Sequence, residues 1–149
     1  MDEALREKES IRKTSLSLGA LLLFTHFIIT ANNWYRTVPS VDIPQHIGAG
    51  VLAALTFYWL AYRFRDSLNL NRSPRFTIFL VLGWTALLGV GWELFEFIHD
   101  EIVIFFGLKL QLAQLSNFDT MKDLFDDLLG GLFLAIFMRL RYDRKKRQL

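Results

Sequence analysis

The chain has no cysteine, which excludes disulfides and thiolate metal ligands. It has only three prolines, so long stretches are free of helix breakers. No phosphate-cradling glycine loop, nucleophile motif or nucleic-acid motif occurs in it, and no nucleic-acid partner is expected. The N-terminus lacks the pattern of a cleavable signal. Its first apolar run follows a mixed-charge segment and has no small-x-small site, so it reads as a retained helix. The last scarcity is of positive charge. Of the 17 Lys and Arg, only Arg36, Lys109 and Lys122 lie outside the N-terminal segment, the Arg63–Arg75 loop and the tail from Arg139.

What is present is apolar surface in quantity. The 149 residues are 52% hydrophobic and 15% aromatic, a length that suits one domain. Four stretches approach membrane length, about 16–35, 46–62, 76–99 and 121–141. Trp34 and Tyr35 at the end of the first, and Tyr58, Trp59 and Tyr62 at the end of the second, fit interfacial aromatic belts. Gly48, Ala49, Gly50, Ala53 and Ala54 give the second a small-residue face, as Gly130 and Gly131 do for the fourth. Asp42 followed by Pro44 reads as a helix start. Met1–Ser15 reads as a short surface helix or frayed end. Residues 100–118 read as an interfacial segment or a lid on the membrane surface. The expected fold is all-α: one polytopic membrane domain over 1–149, built as a four-transmembrane-helix bundle.

Four spans place both termini on one side, with the Arg63–Arg75 loop and the polybasic tail. The positive-inside rule makes that side cytoplasmic. The expected location is the inner (cytoplasmic) membrane, multi-pass, with the tail against anionic lipid headgroups. Acidic and His residues follow the opposite pattern. Asp42, His46, Glu93, Glu96, His99, Asp100, Glu101, Asp119, Asp123, Asp126 and Asp127 fall at the outer ends of spans two to four. Glu93, Glu96 and Asp100 share one helical face, and charge so placed in a membrane-length segment suggests function.

Asp42, Asp119 and Asp123 lie near helix N-termini, where capping alone could account for them. Glu93, Glu96, Asp100 and Glu101 would instead crowd a helix C-terminus if the span ends near His99, and that arrangement calls for a cation or shared protons. Carboxylates with one or two imidazoles suit Mg²⁺, Mn²⁺, Zn²⁺ or Fe²⁺. Glu96 and His99 have the Glu-x-x-His spacing of carboxylate-bridged di-metal bundles. The expected metal ligands are His46, Glu93, Glu96, Asp119 and Asp123, with His99 or Asp127 as general base. A hydrogen-bonded polar cluster that fixes helix register and an ion or proton pathway stay open beside this. His26, in the first span, is either bonded within the bundle or a proton carrier.

Three motifs carry a family resemblance. Asp42-Ile43-Pro44-Gln45-His46-Ile47-Gly48-Ala49-Gly50 resembles Asp-x-x-x-His-x-x-x-Gly, Trp92-Glu93-Leu94-Phe95-Glu96-Phe97 resembles Tyr-Glu-Leu-Leu-Glu-Trp, and Asp119-Thr120-Met121-Lys122-Asp123-Leu124 resembles Asp-Thr-x-x-Asp-Met. The set resembles the YjdF-like family of small bacterial inner-membrane proteins and, more distantly, VanZ-like proteins. The resemblance implies that His46, Glu93, Glu96, Asp119 and Asp123 form one site, and implies no particular chemistry. Ser116 stands where the family pattern often has Asp, and Asp126 or Asp127 would replace that group.

Three functions follow as expectations. The first is a metal-dependent hydrolase or transferase acting on a membrane lipid or lipid-linked phosphate. The second is an ion- or proton-coupled transporter with His26 as a relay, whose continuous path would need a homo-oligomer. The third is a structural or accessory membrane subunit.

Overall fold

The charged N-terminal stretch does not stand apart from the first apolar run. In a computed structural model of the chain, which describes residues 3–64, 70, 73–114 and 116–147, helix α1 runs unbroken over Glu3–Ala31. Glu9 pairs with Arg12 at 2.7 Å and with Lys13 at 3.8 Å, and these i,i+3 and i,i+4 contacts carry the helix through its polar part. The helix stops short of the expected Tyr35. The Asn32 side chain donates to the Ile28 carbonyl at 2.8 Å, and Asn33 takes a left-handed φ of 58°, which ends the turn. A four-residue helix α2, Trp34–Thr37, follows.

Helix α3 spans Ile43–Arg63. Its start is the expected one: Asp42 accepts from the Ile43 N–H at 3.0 Å, with Pro44 in the first turn. Of the basic loop, Arg65 and Arg72 lie outside the described residues.

Helix α4 spans Pro74–Phe105, beyond the expected end at His99. It closes with Gly107 at φ 60°, the Leu108 N–H on Val103 and the Gly107 N–H on Ile104, the paired bonds of a Schellman end. Glu93 and Glu96 therefore lie more than two turns inside the helix, where the dipole argument loses its force. Residues 106–114 form irregular chain rather than an interfacial helix. Helix α5 spans Asn117–Lys146. Ser116 caps it, its hydroxyl accepting from the Asp119 N–H at 3.1 Å.

The burial pattern explains the packing. Along α5 the buried positions are Asp123, then Asp126–Asp127, Gly130–Gly131 and Leu134–Ala135, a stripe repeating every four residues. Along α4 they are Thr77, Val81, Thr85, Gly89 and Glu93, again four apart, followed by Asp100 and Val103. The α3 and α5 stripes meet with almost no side chain between them. A Cβ at Gly50 would land on the Asp127 carbonyl, and one at Gly130 on the Ile47 carbonyl, the close approach that small residues permit. Helix α4 packs on α5 and α3, and α1 on α3. The backbones of α1 and α4 make no contact with each other among the described residues.

Polarity is distributed inside out. The buried groups include Thr85, Glu93, Asp100, Asp123, Asp126 and Asp127, while Leu23, Phe27, Phe79, Leu87, Phe95, Phe133 and Phe137 are more than half exposed. A chain folded for water would reverse this. Two helices, Leu5–Ala31 within α1 and Pro74–Phe105, are long and apolar enough to cross a membrane.

Candidate functional site

The acidic ends of α4 and α5 and the first turn of α3 meet at one end of the bundle. His46, Glu93 and Asp123 each present a ligand atom, and these atoms lie within 4.8 Å of one another. His46 stands one turn into α3, with its side chain 11% accessible. Its Nε2 is 3.6 Å from Asp123 Oδ2, and its Nδ1 is 3.4 Å from Asp127 Oδ1. The imidazole is thus held between two carboxylates of α5 that lie four residues apart on one face. Asp127 sits where three helices cross, its carbonyl against Gly50 and its carboxylate against Gly89.

Glu93 reaches the site from α4 and is 6% exposed. Gln114 donates through its side-chain amide to Glu93 Oε2 at 3.2 Å and to the Glu93 carbonyl at 3.3 Å. The other Glu93 oxygen, Oε1, is buried with no hydrogen-bond partner, whereas His46 Nδ1 and Asp127 Oδ1 face each other and Asp126 Oδ2 stands 4.0 Å from the Lys122 ammonium. A buried carboxylate oxygen left unpartnered, as Glu93 Oε1 is, costs free energy without a proton or a cation.

A second group, Asp42, Asp119 and Asp123, also lies within 4.8 Å. Lys122 occupies it. Its ammonium donates to Asp42 and, at 2.7 Å, to Asp123, and stands 3.8 Å from Asp119 and 4.0 Å from Asp126. The chain supplies its own cation here. Asp42, in the loop before α3, is partly buried, which favours its neutral form. Lys122 and the Ile43 N–H outweigh that and hold its carboxyl below the usual carboxylate range.

The remaining expected residues fall at the margins. Glu96 accepts from the Trp92 indole N–H at 2.8 Å and lines the adjoining cavity. His99 donates to Asp100 at 2.9 Å, with its side chain 34% accessible, so the Glu96–His99 pair does not act as a unit. Asp100 also accepts from the Ala113 and Gln114 N–H groups at 2.6 and 3.0 Å. These bonds fold the 106–114 segment over Glu93. Arg36 adds a bond to the Leu112 carbonyl at 3.3 Å. His26 is bonded to the Tyr35 hydroxyl at 2.7 Å, within the bundle.

Gln114 and Trp92 are the functional candidates that sequence reasoning passes over. A neutral amide in irregular chain carries no periodic signal. Trp92 was visible only as part of the acidic motif.

A helical chain that buries carboxylates and exposes aromatic and aliphatic side chains is a membrane protein. The chain belongs to the family described as predicted membrane protein DUF2238, which matches residues 4–144. That match carries the membrane class implied by the resemblance but not the YjdF-like or VanZ-like names. No curated protein and no solved structure matches the chain.

Proposed function

We propose that the chain crosses the cytoplasmic membrane four times and binds one divalent metal ion near the outer leaflet through His46, Glu93 and Asp123. In this reading it is a hydrolase or transferase acting on a lipid phosphate. The observation that carries it is the His46–Glu93–Asp123 group, with ligand atoms within 4.8 Å and Glu93 Oε1 unpartnered. Oxygen or nitrogen ligands at 2.0–2.6 Å from one ion span at most about 4–5 Å. One imidazole with carboxylates suits Zn²⁺, Mn²⁺ or Fe²⁺, and Mg²⁺ less well. The exposed apolar face of α5, with Phe125, Phe133 and Phe137, supports four spans, and the distribution of basic residues supports cytoplasmic termini.

The metal, when bound, would polarise the phosphoryl group and lower the pKa of a water. The chain's own residues take the other tasks. Asp127 faces the imidazole nitrogen away from Asp123 and fixes the His46 ring, as a carboxylate commonly does behind a ligating His. Glu96, on the cavity wall, is the general base, steered by the Trp92 N–H. His99, paired with Asp100, has the weaker claim to that role. Asp119 helps to hold Lys122 rather than the metal.

The inner half of the bundle is filled by Ala54, Leu55, Val81, Leu134 and Ala135, which speaks for an outer-leaflet site over a transport path. The test is phosphate release from an alkyl phosphate by the detergent-purified protein. Activity should vanish with chelator, return with metal, and fall about 100-fold in Glu96→Gln. Activity indifferent to chelator contradicts the metal role. The Cys-free chain also allows single-Cys topology mapping. Asn33→Cys should react from outside and Ser73→Cys from inside, and the reverse overturns the orientation.

A further inference from the structure

A cavity of about 400 Å³ adjoins the site, a volume within the range of ligand pockets. Its floor is α3 and its walls are α1 and α4, the two helices whose backbones do not meet. Along α3 it extends from Gln45 to Thr56 and along α4 from Glu96 to Thr85. At 1.5 Å per residue that is roughly 16 Å, the hydrocarbon depth of one leaflet of a roughly 30 Å core. Leu22, Leu23, Leu52, Ala53 and Leu88 line it, its ionisable groups His46, Glu96 and Asp127 lie toward the site, and two hydroxyls, Thr56 and Thr85, lie at its far end. There the gap between α1 and α4 is closed only by side chains. The His26 ring meets Trp92 edge-on at 5.8 Å, and Trp92 in turn holds Glu96.

We infer that this groove seats the single hydrocarbon tail of an outer-leaflet amphiphile, which slides in from the bilayer between α1 and α4 and presents a phosphate head to the His46–Glu93–Asp123 group. Length, apolar lining and a polar end at leaflet depth argue for the tail. The phosphate head rests on the metal reading above, because the acidic site would repel a phosphate unless a cation stood in it. A groove one leaflet deep and walled by two helices takes one chain lengthwise. His26 and Trp92 act as the side-chain gate at its mouth.

The test uses dodecyl phosphate with a diazirine at the far end of the tail, added to the full chain in detergent with Mn²⁺, and labelled residues are mapped by mass spectrometry. Labels are expected at Leu52, Ala53, Thr56 or Thr85. Ala49→Trp, which fills the groove from α3, should cut that labelling about tenfold, and Leu88→Trp, from the opposite wall, should do the same. Labels confined to outward side chains such as Phe79 and Phe137, or deep labels unchanged by either tryptophan, overturn the groove. Metal content is read on the same samples. Deep labelling without any bound metal overturns the phosphate head and the metal reading but not the tail, whereas bound metal without deep labelling overturns the groove alone.

Discussion

Gly50 is the sharpest test of the packing that builds the site. An alanine there would place its Cβ on the Asp127 carbonyl. Neither partner can turn away, because both belong to helix backbone. The helices must part by about 1 Å or more, since a Cβ needs about 3.5 Å from such an oxygen. Overpacking costs about 1–3 kcal/mol, with the upper end apt where backbone opposes backbone. The better helix propensity of Ala returns about 1 kcal/mol. The net expectation is about 2 kcal/mol of destabilisation. Gly83 and Gly91 are the controls, since a Cβ at either meets nothing within 4 Å. There the propensity term stands alone, and alanine should stabilise by up to about 1 kcal/mol. The assay is thermal unfolding followed by circular dichroism in one detergent. Separation of α3 from α5 would also draw His46 from Asp123, now 3.6 Å apart, and metal sites tolerate shifts of only about 0.2 Å. Metal affinity in Gly50→Ala should therefore fall at least tenfold, the scale of a disturbed ligand shell. If Gly50→Ala melts as high as Gly83→Ala, the close α3–α5 contact is wrong.

Lys122→Met should destabilise the fold by about 2 kcal/mol, as unfolding in detergent would show, because Asp42 and Asp123 lose their shared cation. Breaking a buried pair costs about 3–5 kcal/mol, and solvent access to the ammonium, 26% accessible, reduces this. Asp42 gives a pH signature. Its folded pKa is depressed, so its contribution is fully present above the unfolded value of about 3.9 and fades as pH falls through the lower folded value. Melting temperature measured below about pH 4 should drop more steeply in the natural chain than in Asp42→Asn, which lacks this titration from the start.

The all-helical fold was legible because long apolar runs without helix breakers leave few alternatives. Antiparallel packing brings the start of α3, the end of α4 and the start of α5 together, and each carries charge there. Helix ends were less legible. Asp100–Phe105 carries two acidic residues beside Ile102, Val103, Ile104 and Phe105, so hydropathy suggested an early stop where the backbone simply continues. Ser116 looked like the loss of a family carboxylate and is the α5 cap. Lys122 read only as one of three scattered bases, yet its placement one turn from both Asp119 and Asp126 brings one ammonium within 4.0 Å of four carboxylates. The latch through Gln114 depends on a loop path that no periodicity encodes.

The central claim is that His46, Glu93 and Asp123 hold one metal ion, and elemental mass spectrometry of the detergent-purified protein tests it most directly. Samples would be loaded with Zn²⁺ or Mn²⁺, passed through a desalting column, and compared with His46→Ala and Glu93→Gln treated alike. The account predicts about one equivalent in the natural chain and at least a tenfold loss in each variant, the effect of removing one of three ligands. No metal in the natural chain after loading, or an unchanged amount in both variants, would contradict it.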